Sequence, residues 1–134
     1  MKITIRNQIK IDKHEEIIKE TYNGELKRIA GKTVLIYKNE AEEKVLLKFD
    51  EQELTMTRFT DKPVTMRFHE DFPSEMTYEG LGSLSVLTEN LSVNIQEKLV
   101  KINYQLAQND LKIGDYRLHI TWLDEEEQEK EGVK

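Results

Sequence analysis

Apolar and polar residues alternate along most of this chain. Ile3 and Ile5 alternate with Thr4 and Arg6, and Val45, Leu47 and Phe49 with Leu46 and Lys48. Leu54, Met56 and Arg58 share one parity, as do Val64, Met66 and Phe68. Later runs carry Val100, Ile102, Tyr104 and Leu106, and then Tyr116, Leu118, Ile120 and Trp122, at every second position. Side chains along a strand point to opposite faces in turn, so this spacing predicts strands with one face buried.

The breaks between runs are short: Ala30-Gly31-Lys32, Asn39–Glu42, Asp50–Gln52, Thr60–Pro63, and Asn109-Asp110 near Gly114. Short turns join antiparallel neighbours, because parallel strands need long crossovers. Both prolines, Pro63 and Pro73, fall between runs, where a missing backbone donor does least harm. The expected fold is all-β: a single closed up-and-down antiparallel barrel of about ten strands, since closure removes exposed edges. A β-sandwich is the structural rival.

Two stretches depart from the simple pattern. Asp12 followed by Glu15 looks like a helix N-cap with its capping-box acid, leading into Glu16–Glu20. Thr21, Tyr22 and Gly24 follow too soon for a stable isolated helix, which favours a strand with a bulge near Gly24. Further on, Leu84 and Val86 differ in parity from Leu91, Val93 and Ile95, which an inserted residue around Thr88–Asn90 explains, either as a bulge or as a break into two strands.

Composition adds boundaries. At 134 residues the chain has room for one domain. It contains no cysteine, which excludes disulfides and thiolate chemistry and favours a reducing compartment. The alternating N-terminus has no signal-peptide block and no later run suits a membrane helix, so a cytoplasmic protein without a membrane partner is expected. The net charge of −6 disfavours phosphate backbones and hence nucleic acid. Much of that charge lies in Asp124–Lys134, expected to be a disordered acidic tail behind a barrel domain over 1–123.

The stretch from Leu35 to Trp122 resembles a small bacterial family of unknown function, the YwiB-like proteins. The matching features are Leu35-x-Tyr37, Lys48 within an apolar run, Arg58 ending the next, and Met66-x-Phe68. Tyr78…Gly82-x-Leu84 and Ile102-x-Tyr104-x-Leu106 follow in order. The resemblance implies a lipocalin-like, calycin-type barrel and carries no activity or site with it. Phe59 stands after Arg58, where the family leads one to expect an Arg-x-Gly turn.

Candidate chemistry centres on Arg58, whose parity sends it to the side of Val64, Met66 and Phe68. A guanidinium facing an apolar interior must be paired or reach water. It is either a hook for the anionic group of a ligand, or a rim residue bonded to a loop carbonyl or a nearby Glu. Tyr37, Tyr78 and Tyr104, with Met56 and Met66, are the candidate ligand-binding neighbours; the competing role is ordinary core packing. Leu35, Leu47, Phe49, Leu54, Phe68 and Trp122 are large enough to fill a small barrel, which favours packing.

His14, His69 and His119 show no metal-ligand spacing, and no phosphate loop, dinucleotide fingerprint or nucleophile elbow occurs. No metal or cofactor is expected. His69-Glu70-Asp71 is the one place where imidazole adjoins carboxylates, and it reads as a turn, so the chain leans away from enzymes. Two functional readings remain. One is a non-catalytic binder of a small amphipathic or anionic ligand in a cavity of a few hundred cubic ångströms. The other is an interaction or scaffold module, homodimeric in one form, acting through outward apolar residues such as Leu46, Phe59 and Leu87.

Overall fold

In the computed structural model, residues 1–124 are described except Glu79 and Leu81, with Tyr78 described by its backbone alone. The acidic tail expected over 124–134 therefore lies outside the described residues beyond Asp124, whose carboxylate accepts a hydrogen bond from Lys98 Nζ at 3.1 Å.

Ten strands account for nearly all the described chain. They are β1 (Lys2–Ile11), β2 (His14–Ile29), β3 (Lys32–Lys38), β4 (Lys44–Phe49) and β5 (Glu53–Phe59). They continue as β6 (Val64–His69), β7 (Ser74–Tyr78), β8 (Gly82–Asn94), β9 (Leu99–Gln108) and β10 (Leu111–Leu123). All ladders are antiparallel, in the order β6-β5-β4-β3-β2-β1-β10-β9-β8-β7. The first and last strands meet, because β1 pairs with β10 from Lys2↔Leu123 to Lys10↔Asp115. The barrel is nearly closed, and its seam lies between β6 and the β7–β8 hairpin. Side chains bridge that seam: Thr88 Oγ1 accepts from the His69 amide at 3.1 Å, and the Ser74 hydroxyl donates to the Arg67 carbonyl.

Side chains of the turn residues hold several connections. Asn39 Oδ1 accepts from the amides of Ala41 and Glu43, both at 3.0 Å, and Asp50 Oδ1 from those of Gln52 and Glu53. Such Asx interactions replace the ladder bonds that a turn interrupts.

Residues 14–20 are strand throughout, as the period favoured. The bulge expected near Gly24 does not form. The β1–β2 register runs unbroken from Ile11↔His14 to Lys2↔Asn23, and Gly24 is instead where β2 gains β3 as a neighbour, starting at Gly24↔Tyr37. A Cβ at Gly24 would overlap the Ile36 carbonyl oxygen and lie 2.5 Å from Ile3 Cδ1, so close approach of two backbones requires glycine here. The inserted residue expected around Thr88–Asn90 is present: the β8–β9 register shifts between those two residues. A second shift lies between Lys112 and Gly114 of β10.

Parity decides the interior. Ile3, Leu35, Leu47, Phe49, Leu54, Phe68, Val100, Ile102 and Ile120 are fully buried. Leu118 and Trp122 complete the same cluster, and Met56 and Met66 pack against it. Phe49 and Trp122 meet with ring centroids 5.7 Å apart. Large side chains thus fill much of the barrel, and a hollow space opens near the strand ends that carry Tyr37 and Arg58.

Candidate functional site

Three ladders bring the mouth of the barrel together. Val45 of β4 sits between Tyr37 of β3 and Arg58 of β5, and Arg58 faces Val64 of β6. Met56 and Met66 are cross-strand partners one layer deeper. These side chains, with Glu20, Tyr22, Asn39 and Met76, enclose a cavity of about 210 Å³. Its walls are mainly aliphatic, thioether and aromatic. Tyr22 and Tyr37 stack, with centroids 4.7 Å apart and planes 17° from parallel. Burial raises the Tyr37 phenol above its usual range, and the Glu20 carboxylate adds to that effect.

Arg58 stands at the opening, half-buried. Its Nε lies 3.9 Å from Glu43 Oε1, an ion-pair separation too long for a direct hydrogen bond. Glu43 Oε1 also accepts from Asn39 Nδ2 at 3.0 Å, which holds the carboxylate over the β3–β4 turn. Beside the guanidinium a second space of about 520 Å³ lies between Glu43, Thr60, Asp61, Lys62, Pro63 and Thr77. Arg58 and Val64 line both spaces, so the inner chamber and this outer vestibule share one gate.

Of the six candidate ligand-binding residues, Arg58, Tyr37, Met56 and Met66 converge on this cavity. Tyr104 does not line it. Its ring packs on Phe68 at 4.7 Å and stacks on Tyr116 at 4.9 Å, and burial pushes its phenol up to about 12 despite a hydrogen bond with the Asn7 side chain. The Tyr78 side chain lies outside the described residues. Sequence reasoning missed Glu20, Tyr22 and Met76. The strand period over 14–24 contains the signal for the first two, since Glu20 and Tyr22 share the parity that faces Ile5 and Ile3 across the β1–β2 ladder.

The other candidate chemistry stays apart from the mouth. His69 stacks on Phe72 at 4.0 Å, and its Nδ1 accepts from the Asp71 amide in the β6–β7 turn. His119 is half-buried, and burial followed by Lys101, Arg6 and Arg117 lowers its pKa. No cluster of three metal-ligating side chains occurs among the described residues. Of the outward apolar residues, Leu46 is half-buried, Phe59 lies beneath Lys44 Nζ at 5.7 Å, and Leu87 is exposed.

Comparison with known proteins agrees with this architecture. The crystal structure of the ywiB protein from Bacillus subtilis superimposes with a TM-score of 0.70 at 16% sequence identity, covering 92% of this chain and 91% of that one. Identity at that level speaks for the fold alone. No curated protein matches the chain in sequence. The family model described as a domain of unknown function (DUF1934) matches residues 3–120, nearly the whole barrel, and the chain belongs to that family.

Proposed function

We propose that this barrel is a non-catalytic binder of a small amphipathic anion, held at its mouth with the charged group on Arg58. The observation that carries this reading is the cavity in which Arg58 gates a chamber of Tyr22, Tyr37, Met56, Met66 and Met76. The chamber is smaller than the usual range for drug-sized ligands, roughly 300–1,000 Å³. Its guest is therefore a short chain or a single ring, or the apolar end of something longer that lies in the vestibule. Methionine suits such a wall, because its unbranched thioether re-packs around guests of different outline.

Charge at the mouth supports an anion in one position only. Glu20 and Glu43 repel a carboxylate from the walls, and the guanidinium offers a planar pair of donors. A bound carboxylate takes the place that Glu43 now holds beside Arg58. Glu43 keeps its hydrogen bond from Asn39 in the exchange and gives up only a 3.9 Å contact with Arg58, so the exchange costs little.

Calorimetric titration with hexanoate and with hexylamine tests the reading, since the two are unbranched six-carbon molecules with head groups of opposite charge. Hexanoate binds and hexylamine binds at least about tenfold more weakly, the difference expected of one charge-assisted contact. Arg58→Met removes the preference, whereas Glu43→Gln strengthens hexanoate binding. Equal affinity for both probes, unchanged in Arg58→Met, contradicts the proposal.

A further inference from the structure

The first half of β2 has a neighbour on one side only. From His14 to Asn23 it pairs with β1, whereas β3 joins at Gly24 and runs away towards Ile29. Among the described residues, no strand pairs with the other edge of 14–23. Every residue from His14 to Lys19 is exposed, with Ile17 at 55% and Ile18 at 37%. A long, straight, unpaired edge bearing two adjacent isoleucines is a template for another strand. It contains no proline, and its β1 register has no bulge to twist it away.

The direction of the unused backbone groups follows from the ladder already formed. The Gly24 amide donates to the Met1 carbonyl at 2.9 Å, and alternate residues back along β2 share that phase. Tyr22, Glu20, Ile18, Glu16 and His14 thus bond to β1. Glu15, Ile17, Lys19 and Thr21 direct their amides and carbonyls outward.

We infer that this edge pairs with the same edge of a second copy of the chain, antiparallel about a two-fold axis through Ile17. The sequence is complementary to itself in that register. Glu15 opposes the partner's Lys19 and Lys19 opposes the partner's Glu15. His14 faces the partner's Glu20, and Ile17 meets the partner's Ile17. A two-fold normal to the sheet preserves the face of each side chain, so a neighbouring register is centred one residue away. Centring on Ile18 sets Glu16 against Glu20. Centring on Glu16 sets that residue against itself and Lys13 against Lys19, and centring on Lys19 opposes that lysine to its copy. Of these, only the Ile17-centred register avoids like charges directly opposite, which destabilise a pair. It also uses the outward groups at Glu15, Ile17 and Lys19, leaving none of the three without a ladder partner. The result is one continuous sheet through two barrels. The surface is separate from the outward Leu46, Phe59 and Leu87, and the inference stands whether or not the mouth cavity binds a guest.

Charge reversal with rescue tests it, read by light scattering on the full chain across a dilution series. The unmodified chain dimerises. Glu15→Lys alone and Lys19→Glu alone each raise the dimer dissociation constant at least about tenfold, because each sets like charges opposite at two places. The double variant carrying both changes restores dimerisation. Ile17→Pro abolishes it while keeping the circular-dichroism spectrum and thermal midpoint of the barrel, since the lost amide points away from β1. The chain has no cysteine, so Ile17→Cys under mild oxidation gives a cross-linked dimer, while Leu87→Cys does not. A monomer at every concentration overturns the inference. So does a dimer indifferent to both single reversals, or one lost when the chain is truncated after Asp124.

Discussion

Lys32 and the two buried tyrosines, Tyr37 and Tyr104, show how single side chains set the chain's response to pH. Lys32 Nζ lies 2.9 Å from Glu53 Oε1 and 3.6 Å from Asp50 Oδ2. The Lys32 hydrogen bond holds the Glu53 carboxyl below its ordinary range. Burial pushes Asp50 up, but amides from Gln52 and Glu53, together with Lys32, outweigh it and leave the carboxyl lowered. A carboxyl lowered in the fold stabilises above its unfolded pKa and loses that contribution as the solution is acidified. Lys32→Met should therefore flatten the acid limb of a stability profile below about pH 4.5, by no more than about 1 kcal/mol, because the pair is partly exposed to solvent. The tyrosines act at the other end. With Tyr104 raised to about 12 and Tyr37 raised further by burial and Glu20, the unfolded chain loses their protons first. Stability is insensitive to both below pH 10 and falls between about pH 10 and 12. Absorbance titration of the phenolates, with denaturant melts at each pH, checks both signs.

Strands in this molecule are defined by what interrupts them. Gly24 is where β2 passes from β1 to β3 as its neighbour, and Gly24→Ala forces a methyl group into the Ile36 carbonyl and Ile3. That substitution should cost about 1–3 kcal/mol, seen as a lowered thermal midpoint, the scale of overpacking in a tight site. Glu89 has the opposite role, as the extra residue between Thr88 and Asn90. Deleting it makes the ladder regular but sends either Leu84 and Val86 or Leu91 and Val93 to the outer face, so a large loss of stability is expected. The change of parity from Val86 to Leu91 made this insertion legible in the sequence, because two apolar series cannot face one core without it. The Gly24 switch was not legible. Period-two spacing reports which face a residue occupies and is silent about which strand lies beside it. The same limit hid the unpaired edge of β2, where Ile17 and Ile18 break the alternation because neither face is covered.

At the scale of the whole molecule, the interior divides into a filled length and a hollow mouth. Alternation alone carried the filled part, since large residues at every second position must crowd a narrow barrel. Arg58, Met56 and Met66 were legible as neighbours because they share one face of the adjacent strands β5 and β6, and Tyr37 joins them from β3 across β4. Tyr104 was misplaced into that group because parity assigns a face without a height, and its layer is that of Phe68 and Tyr116. The seam between β6 and the β7–β8 hairpin is bridged by side chains, so amides of β6 and β7 should exchange with deuterium faster than those of β9 and β10. A mouth that holds the apolar end of a small anion is reported on directly by the four methionines. Met56, Met66 and Met76 line the cavity, and Met1 does not. In a titration of methyl-labelled methionine protein with hexanoate followed by NMR, the three cavity methyl resonances should shift together and saturate while that of Met1 stays in place. No shift up to millimolar hexanoate, or an equal drift of all four, would contradict the account.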